Sequence, residues 1–152
     1  MMYRICKILE IETGHMLSKH PGPCKVPHGH SRRVEIVLEA RSLDANDMVC
    51  DFQAVKLAVG DFFHSLDHAM CMNTNDPMFE TFRKTYGERV VALENQDPTT
   101  EVMARLVFDR VRTSLAAYAR TSPRTHVLRK SVRLVRVRLW ETASSWAEYG
   151  GD

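Results

Sequence analysis

The chain has 152 residues, of which 44% are hydrophobic and 26% charged, a composition typical of one globular domain with its own core. Its net charge of +2 argues against a dedicated nucleic-acid-binding protein, and no stretch approaches the ~18 apolar residues that a membrane helix needs. The first residues lack the hydrophobic run of a signal peptide, and the four cysteines form no CxxC pair, so we expect a cytoplasmic protein without a membrane or nucleic-acid partner.

The first half of the chain predicts two strands and a helix. Residues 2–13 and 28–40 alternate apolar and polar side chains, as half-buried strands do. Residues 20–29 between them hold three prolines and two glycines, which predict a loop. Asp51 can cap a helix that runs to about His64 and carries one apolar stripe.

The second half of the chain predicts a loop over residues 65–77, a short helix over 78–86 and a short strand over 89–93. A long helix over 97–119 and a long strand over 131–142 follow. Thr99 or Thr100 can cap the long helix. Long strands early and late, with helices between them, predict an α+β fold for residues 1–152 as one domain. We expect an antiparallel four-stranded sheet with two helices on one face, whose open edges favour pairing between subunits.

Two histidines at the start of the second strand suggest a metal site. His28 and His30 are two residues apart, so both side chains lie on one face of the strand, and Gly29 lets another backbone come close. If the first two strands are antiparallel neighbours, His15 lies opposite the start of the second. Three histidines with an open fourth position are typical of catalytic zinc. His20 is a competing ligand, and a polar strand edge without metal is the alternative.

Three further features could supply acid–base or ligand-binding chemistry. Cys24 lies in the polar loop, and a thiol near a metal loses its proton more easily; the alternative is a buried loop cysteine. Asp67 can orient or charge His68, although adjacent Asp–His pairs are also common by chance. Glu141 ends the last strand, where a carboxylate either meets solvent or accepts the N–H groups of a ligand.

Two remaining groups of residues have plainer interpretations. Cys6, Cys50 and Cys71 lie among apolar residues, which predicts buried thiols. The arginines within residues 129–140 could bind RNA, but the solvated face of a strand is the favoured interpretation.

The motifs together resemble those of the 6-pyruvoyltetrahydropterin synthase and 6-carboxytetrahydropterin synthase family, in the same order and over nearly the whole chain. The matching positions are His15 in "ETGHML", the Cys-x-x-x-His-Gly-His run over 24–30, Leu-Asp-His at 66–68, Pro-Thr-x-Glu at 98–101 and Glu-Thr at 141–142. The segment that follows Leu-Asp-His is longer here than in compact members of the family.

The resemblance implies the tunnelling fold, in which subunits join their sheets into a β-barrel, often as a hexamer of two trimers. It implies a homo-oligomer whose neighbouring subunits complete each active site, and a pterin triphosphate as the small-molecule substrate. The implied zinc (Zn²⁺) ligands are His15, His28 and His30; the implied catalytic residues are Cys24, Asp67 and His68; and the implied substrate-binding residues are Thr100, Glu101 and Glu141. Plain surface charge is the favoured interpretation of each basic residue near the site, but the candidates for binding the triphosphate are Lys19, Lys25, Arg32 and Arg33.

The resemblance also implies a reaction. A zinc-dependent lyase of this kind converts 7,8-dihydroneopterin triphosphate to 6-carboxy-5,6,7,8-tetrahydropterin in queuosine and deazapurine biosynthesis, releasing acetaldehyde and triphosphate. The alternatives are a 6-pyruvoyltetrahydropterin synthase, which eliminates triphosphate, and a non-catalytic, metal-dependent pterin binder. Both synthases use the same set of residues, so the sequence does not separate them.

Overall fold

The computed structural model describes residues 1–151, which contain six strands and three α-helices. The strands are β1 (Tyr3–His15), β2 (His28–Ala40), β3 (Ala69–Asn73), β4 (Val90–Leu93), β5 (Arg133–Thr142) and β6 (Ser145–Gly150). The helices are α1 (Phe52–Leu66), α2 (Phe79–Tyr86) and α3 (Thr100–Thr121). All strands join one sheet in the order β4-β3-β1-β2-β5-β6.

The long strands β1 and β2 form the centre of the sheet. They pair antiparallel along their whole length, from Tyr3 opposite Ala40 to His15 opposite His28. On β2 the face that the helices cover carries Val34, Ile36 and Leu38, each at most 1% exposed. The alternation of apolar and polar residues therefore determines which face of β2 packs against the helices. The histidines at the start of the strand lie on that same face.

The helices α1 and α3 begin at the residues that the sequence predicts. The Asp51 carboxylate accepts a hydrogen bond of 2.8 Å from the Gln53 N–H, and the Thr99 hydroxyl accepts one of 3.3 Å from the Val102 N–H. Each cap satisfies a backbone donor that the first turn leaves unpaired. The helix α1 ends at Leu66, two residues beyond the predicted end.

The prediction of a four-stranded antiparallel sheet with two helices is wrong in detail. The sheet is mixed, because β3 pairs parallel with both β1 and β4. Residues 69–73, predicted as loop, form β3, a short and largely buried run that shows no alternation. The missed strand β6 follows β5 after a two-residue turn, and α2 is a third helix. The α+β class itself is confirmed.

The prediction of buried thiols holds for Cys50 and Cys71 but is wrong for Cys6, which is exposed. Cys6 faces away from the helices because it lies one residue out of phase with the buried side of β1. Over residues 1–151, no helix combines the length and the apolar character needed to cross a membrane.

Candidate metal centre

Three histidines converge where β1 ends and β2 begins. His15 lies directly opposite His28 in the strand register, and His30 lies opposite Thr13. Their ring centroids are 4.5, 5.0 and 5.1 Å apart, and one nitrogen of each ring faces the same small volume. The antiparallel pairing and the spacing of two along β2 are sufficient to produce this cluster.

Backbone carbonyls fix the orientation of two of the rings. The Nδ1–H of His15 donates to the Pro98 carbonyl at 2.8 Å, and the Nδ1–H of His28 donates to the Val26 carbonyl at 2.7 Å. A neutral imidazole that donates through Nδ1 has its lone pair on Nε2. These carbonyls therefore leave both Nε2 atoms free to bind a metal, the supporting arrangement that metal-bound histidines usually have.

Burial keeps His15 and His30 neutral by lowering their pKa values. It lowers the pKa of His15 to about 4, more than the hydrogen bond to Pro98 raises it, and the nearby charge of Arg32 lowers it further. Burial and Arg32 likewise lower the pKa of His30, against a smaller opposing effect of Glu141. Neutral imidazoles at neutral pH are the form that binds a metal.

The spacing of two of the nitrogen atoms fits a tetrahedral ion. His30 Nε2 lies 3.2 Å from His15 Nε2, and only a proton or a cation between them relieves the opposition of two lone pairs. Ligands at about 2.05 Å around a tetrahedral zinc ion are about 3.3 Å apart. The two nitrogens are therefore already at the distance that one shared metal ion requires.

Gly29 allows a close approach of the β1 and β2 backbones beside the cluster. A Cβ atom at Gly29 would stand 3.2 Å from the Thr13 carbonyl oxygen, so the close approach of two backbones is as predicted. His20, the competing ligand, instead accepts a hydrogen bond from the Gly22 N–H through Nδ1 at 2.9 Å. The geometry favours His15 as the third ligand.

Glu141 reaches the same cluster from β5. Its Oε1 lies 3.6 Å from His30 Nε2 and 3.7 Å from His15 Nε2. The Thr100 hydroxyl donates to this oxygen at 3.0 Å. Two of the three predicted substrate-binding residues therefore contact each other beside the histidines. Within residues 1–151 the third, Glu101, is exposed and takes part in none of these side-chain contacts.

Arg32 has a different role from the one expected. Its guanidinium is 1% exposed and donates to the hydroxyls of Thr13 and Thr100, at 2.8 and 3.2 Å. It comes within 3.4 Å of His15 Nδ1, but that atom already donates to a carbonyl, so this is a contact and not a hydrogen bond. A buried side chain cannot bind a triphosphate from solution. Arg32 instead joins Thr13 of β1 to Thr100 of α3 beside the histidines.

Replacing Arg32 with methionine is expected to destabilise the protein. The change leaves the Thr13 and Thr100 hydroxyls without their charged donor, so we expect the free energy of unfolding to fall by about 2–4 kcal/mol, measured by urea denaturation. Arg33→Met is the matched control, since Arg33 is half exposed and pairs with Glu35 at 3.2 Å. We expect a change below about 1 kcal/mol there. Equal losses in both variants would contradict the structural role of Arg32.

Asp97 anchors the elements around the metal cluster and was not predicted. One carboxylate oxygen accepts from the Ser18 hydroxyl at 2.6 Å and the Asn73 amide at 3.0 Å, and the other accepts from the Lys19 N–H at 2.8 Å. It thereby joins the loop after β1, the end of β3 and the residue before Pro98. Burial alone would raise its pKa, but these hydrogen bonds outweigh burial and the pKa of Asp97 is lowered.

Replacing Asp97 with asparagine is expected to lower the free energy of unfolding by about 2–3 kcal/mol at pH 7, because an amide cannot accept at both positions. Asp61→Asn, on the exposed side of α1, should change it by less than about 0.5 kcal/mol. A lowered folded-state pKa contributes stability above the ordinary value of 3.8, and this contribution is lost as the pH falls through the folded value. The difference in the free energy of unfolding between wild type and Asp97→Asn should therefore narrow below pH 3.8. A difference that stays constant with pH would show that the charge of the Asp97 carboxylate does not contribute to stability.

Cys24 lies in the loop that joins the two strands of the cluster. It sits in a single 3₁₀ turn, Pro23–Lys25, and its carbonyl accepts a hydrogen bond of 3.0 Å from the Leu17 N–H. This bond ties the cysteine to the chain two residues beyond His15. The side chain is half-buried, which fits neither a core thiol nor a fully solvated one.

Asp67 and His68 form a pair, as predicted. The His68 Nδ1–H donates to Asp67 at 3.0 Å, while the other oxygen of Asp67 accepts from the Glu12 N–H at 2.7 Å. These two bonds, the backbone one first, lower the pKa of Asp67, which keeps it ionised. His68 has a left-handed φ of 58°, and such strain in a non-glycine residue is often found at functional sites.

One cavity connects this pair to the histidine cluster. It has a volume of about 570 Å³ and is lined by both His30 and His68. Phe82 and Tyr86 of α2 and the nearby Arg89 form one wall, and Arg89 donates to the Asp67 carbonyl at 3.0 Å. Within residues 1–151, neither the predicted catalytic residue Cys24 nor the predicted substrate-binding residue Glu141 lines this cavity, so a single chain does not bring all the predicted site residues together there.

The sequence prediction missed or misassigned three features of the site: Arg32, Asp97 and the wall that α2 forms in the cavity. Arg32 follows His30 in phase along β2, and that spacing alone could have placed it on the buried face. Asp97 carries no comparable signal, because its three partners are brought together only by the fold.

Comparison with known proteins agrees with this geometry. The sequence profile of the 6-pyruvoyl tetrahydropterin synthase family matches residues 4–152. A curated relative from Aquifex aeolicus, named 6-carboxy-5,6,7,8-tetrahydropterin synthase, is 29% identical over 98% of both chains.

Solved structures share the fold. An uncharacterised protein from Wolinella succinogenes superposes with a TM-score of 0.78 at 21% identity, covering 100% of this chain and 99% of that one. A 6-pyruvoyltetrahydropterin synthase from Plasmodium vivax gives 0.71 at 16% identity, covering 98% and 97%. At these identities the likeness supports the fold alone.

Proposed function

Because the chain belongs to the 6-pyruvoyl tetrahydropterin synthase family, we propose that it is a zinc-dependent lyase that acts on 7,8-dihydroneopterin triphosphate. The name of the full-length relative favours 6-carboxy-5,6,7,8-tetrahydropterin, acetaldehyde and triphosphate as products, in the biosynthesis of queuosine-type bases in the cytoplasm. The observation that carries the proposal is the convergence of His15, His28 and His30, with two of their rings oriented by backbone carbonyls.

The donor set fits zinc. Three neutral imidazoles with room for a fourth ligand are typical of catalytic zinc. A zinc ion bound by them would polarise hydroxyl and carbonyl oxygens of the substrate side chain and make the neighbouring C–H protons more acidic. The role of His15, His28 and His30 is to hold that charge at a fixed point beside the cavity.

Proton transfer falls to Cys24 and to the Asp67–His68 pair. A thiolate at position 24 would take a proton from the substrate side chain, since the cationic surroundings of a metal favour the ionised thiol. His68, oriented through Nδ1 by an ionised Asp67, presents Nε2 to return a proton. Thr100, Glu101 and Glu141 are proposed to bind the pterin ring, whose N–H groups a carboxylate can accept.

We propose that neighbouring subunits complete the site, in a homo-oligomer of the hexameric type. The separation of Cys24 from the cavity that His68 lines supports this arrangement. The open strands β4 and β6 supply unpaired edges along which chains can associate.

Shared sites predict complementation between two inactive variants. Mixing Cys24→Ala and His68→Ala chains and allowing subunits to exchange should restore part of the turnover, because some sites then receive one intact residue from each chain. In the control, each variant is cross-linked separately before the two are mixed, so that subunits cannot exchange. This mixture should stay inactive. Failure to recover any activity after proven exchange would indicate that each chain carries its own complete site.

The proposed reaction is tested by incubating the purified, zinc-loaded protein with 7,8-dihydroneopterin triphosphate. We expect 6-carboxy-5,6,7,8-tetrahydropterin and acetaldehyde in equal amounts. Formation of 6-pyruvoyltetrahydropterin without acetaldehyde would instead support the pyruvoyl synthase. Binding of the substrate without any product would support a non-catalytic pterin binder.

A further inference from the structure

The carboxylate of Glu141 lies beside two of the three histidines of the cluster. Its Oε1 is 3.6 Å from His30 Nε2 and 3.7 Å from His15 Nε2, the two atoms that are themselves 3.2 Å apart. Donor atoms around one tetrahedral zinc ion are about 3.3 Å from each other. The carboxylate oxygen is thus within a few tenths of an ångström of the spacing that two ligands of one ion require, measured to each of these two nitrogens.

The position of Glu141 is supported by its own neighbours. The Thr100 hydroxyl donates to Oε1 at 3.0 Å, and the Arg32 guanidinium lies 4.0 Å from the same oxygen. Thr100 and Arg32 are buried and bonded to each other, so they hold the carboxylate toward the histidines. The side chain of Glu141 is nevertheless 31% exposed, which leaves it space to turn away.

We propose that Glu141 is the fourth ligand of the metal in the substrate-free protein and is displaced when a ligand with oxygen donors binds. The displaced carboxylate is then free to accept N–H groups of the ring of that ligand. The displacement of Glu141 by a ligand rests on the proposed function, whereas its binding to the metal rests only on the histidine cluster and the distances given above.

The arrangement explains why a buried cation lies beside the site. Arg32 attracts electron density from Glu141, so the carboxylate is expected to donate more weakly to the metal and to exchange readily. The hydrogen bond from the Thr100 hydroxyl to Oε1 also draws electron density from that oxygen. Both contacts are compatible with a ligand that binds and leaves.

The experiment measures metal binding without substrate. Glu141→Gln is compared with wild type for zinc affinity, by competition with a chromophoric chelator, and for the visible absorption of the cobalt(II)-loaded protein. Glu101→Gln is the matched control, because it removes an equal charge from an exposed position one residue from Thr100. Thermal unfolding of each variant verifies that the chains are folded.

We expect Glu141→Gln to bind zinc about 10- to 100-fold more weakly and to shift the cobalt absorption, with Glu101→Gln close to wild type in both. Wild-type affinity and spectrum in Glu141→Gln would overturn the proposal. Equal weakening in both variants would also overturn it, since charge alone would then account for the loss. Neither measurement uses a pterin, so the absence of lyase activity in wild type would reject the proposed function without deciding this inference.

Discussion

Replacing His30 with alanine is expected to remove the metal and nearly all turnover. His30 is one of the three proposed ligands, and two remaining imidazoles cannot hold a catalytic ion tightly. Lewis-acid activation contributes several kcal/mol to the transition state, so kcat/KM should fall by about 10³-fold or more. Metal per chain by elemental analysis and the rate of product formation are the two measurements.

The control for this variant is His20→Ala. His20 lies in the neighbouring loop and uses its Nδ1 to accept the Gly22 N–H, so its loss should leave the metal in place. His30 is partly exposed, and its removal should not unfold the chain. Wild-type metal content in His30→Ala would show that the histidine cluster is not the metal site.

Replacing Cys24 with alanine is expected to lower turnover strongly while the metal stays bound. A positioned acid or base typically contributes about 10²- to 10⁴-fold, and we expect a loss in that range for kcat. Metal content and pterin binding should be near wild type, because the three histidines are untouched. The combination of bound metal, bound pterin and strongly lowered turnover would assign proton transfer to this thiol.

The matched control is Cys6→Ala, which removes an exposed thiol from the face of β1 opposite the helices. It should leave turnover unchanged. Undiminished turnover in Cys24→Ala would exclude the thiol from the mechanism. A variant that lost both metal and turnover would instead show that the loop of Cys24 supports the cluster.

The metal cluster could be predicted from the sequence because it depends on two simple rules. A spacing of two residues puts His28 and His30 on one face, and antiparallel pairing through a loop puts His15 opposite them. Both rules are local in the strand register, and the structure obeys them. The helix caps at Asp51 and Thr99 were also predictable, because a cap depends only on residues close to it in the chain.

The features that escaped prediction depend on contacts distant in sequence. The strand β3 is short, and nothing in its five residues shows that it pairs parallel with β1. Asp97 binds groups 24 to 79 residues away in the chain, and only the completed fold brings them together. The uncovered strand face that exposes Cys6 likewise depends on where the helices pack.

Arg32 shows how a correct pattern can be given the wrong role. Its charge suggested a phosphate ligand, whereas its phase along β2 places it among buried residues. Burial lowers the pKa of Arg32, and the hydroxyls of Thr13 and Thr100 satisfy its donors. Phase in a strand was therefore the better guide to this residue than charge.

Elemental analysis of the purified wild-type protein tests the central claim, that His15, His28 and His30 form a metal centre, most directly. The protein should be expressed with zinc available and dialysed against metal-free buffer at pH 7 without a strong chelator. We predict about one tightly bound zinc ion per folded chain. A well-folded sample that holds far less than one metal ion per chain, and takes up none when zinc is added, would contradict the claim.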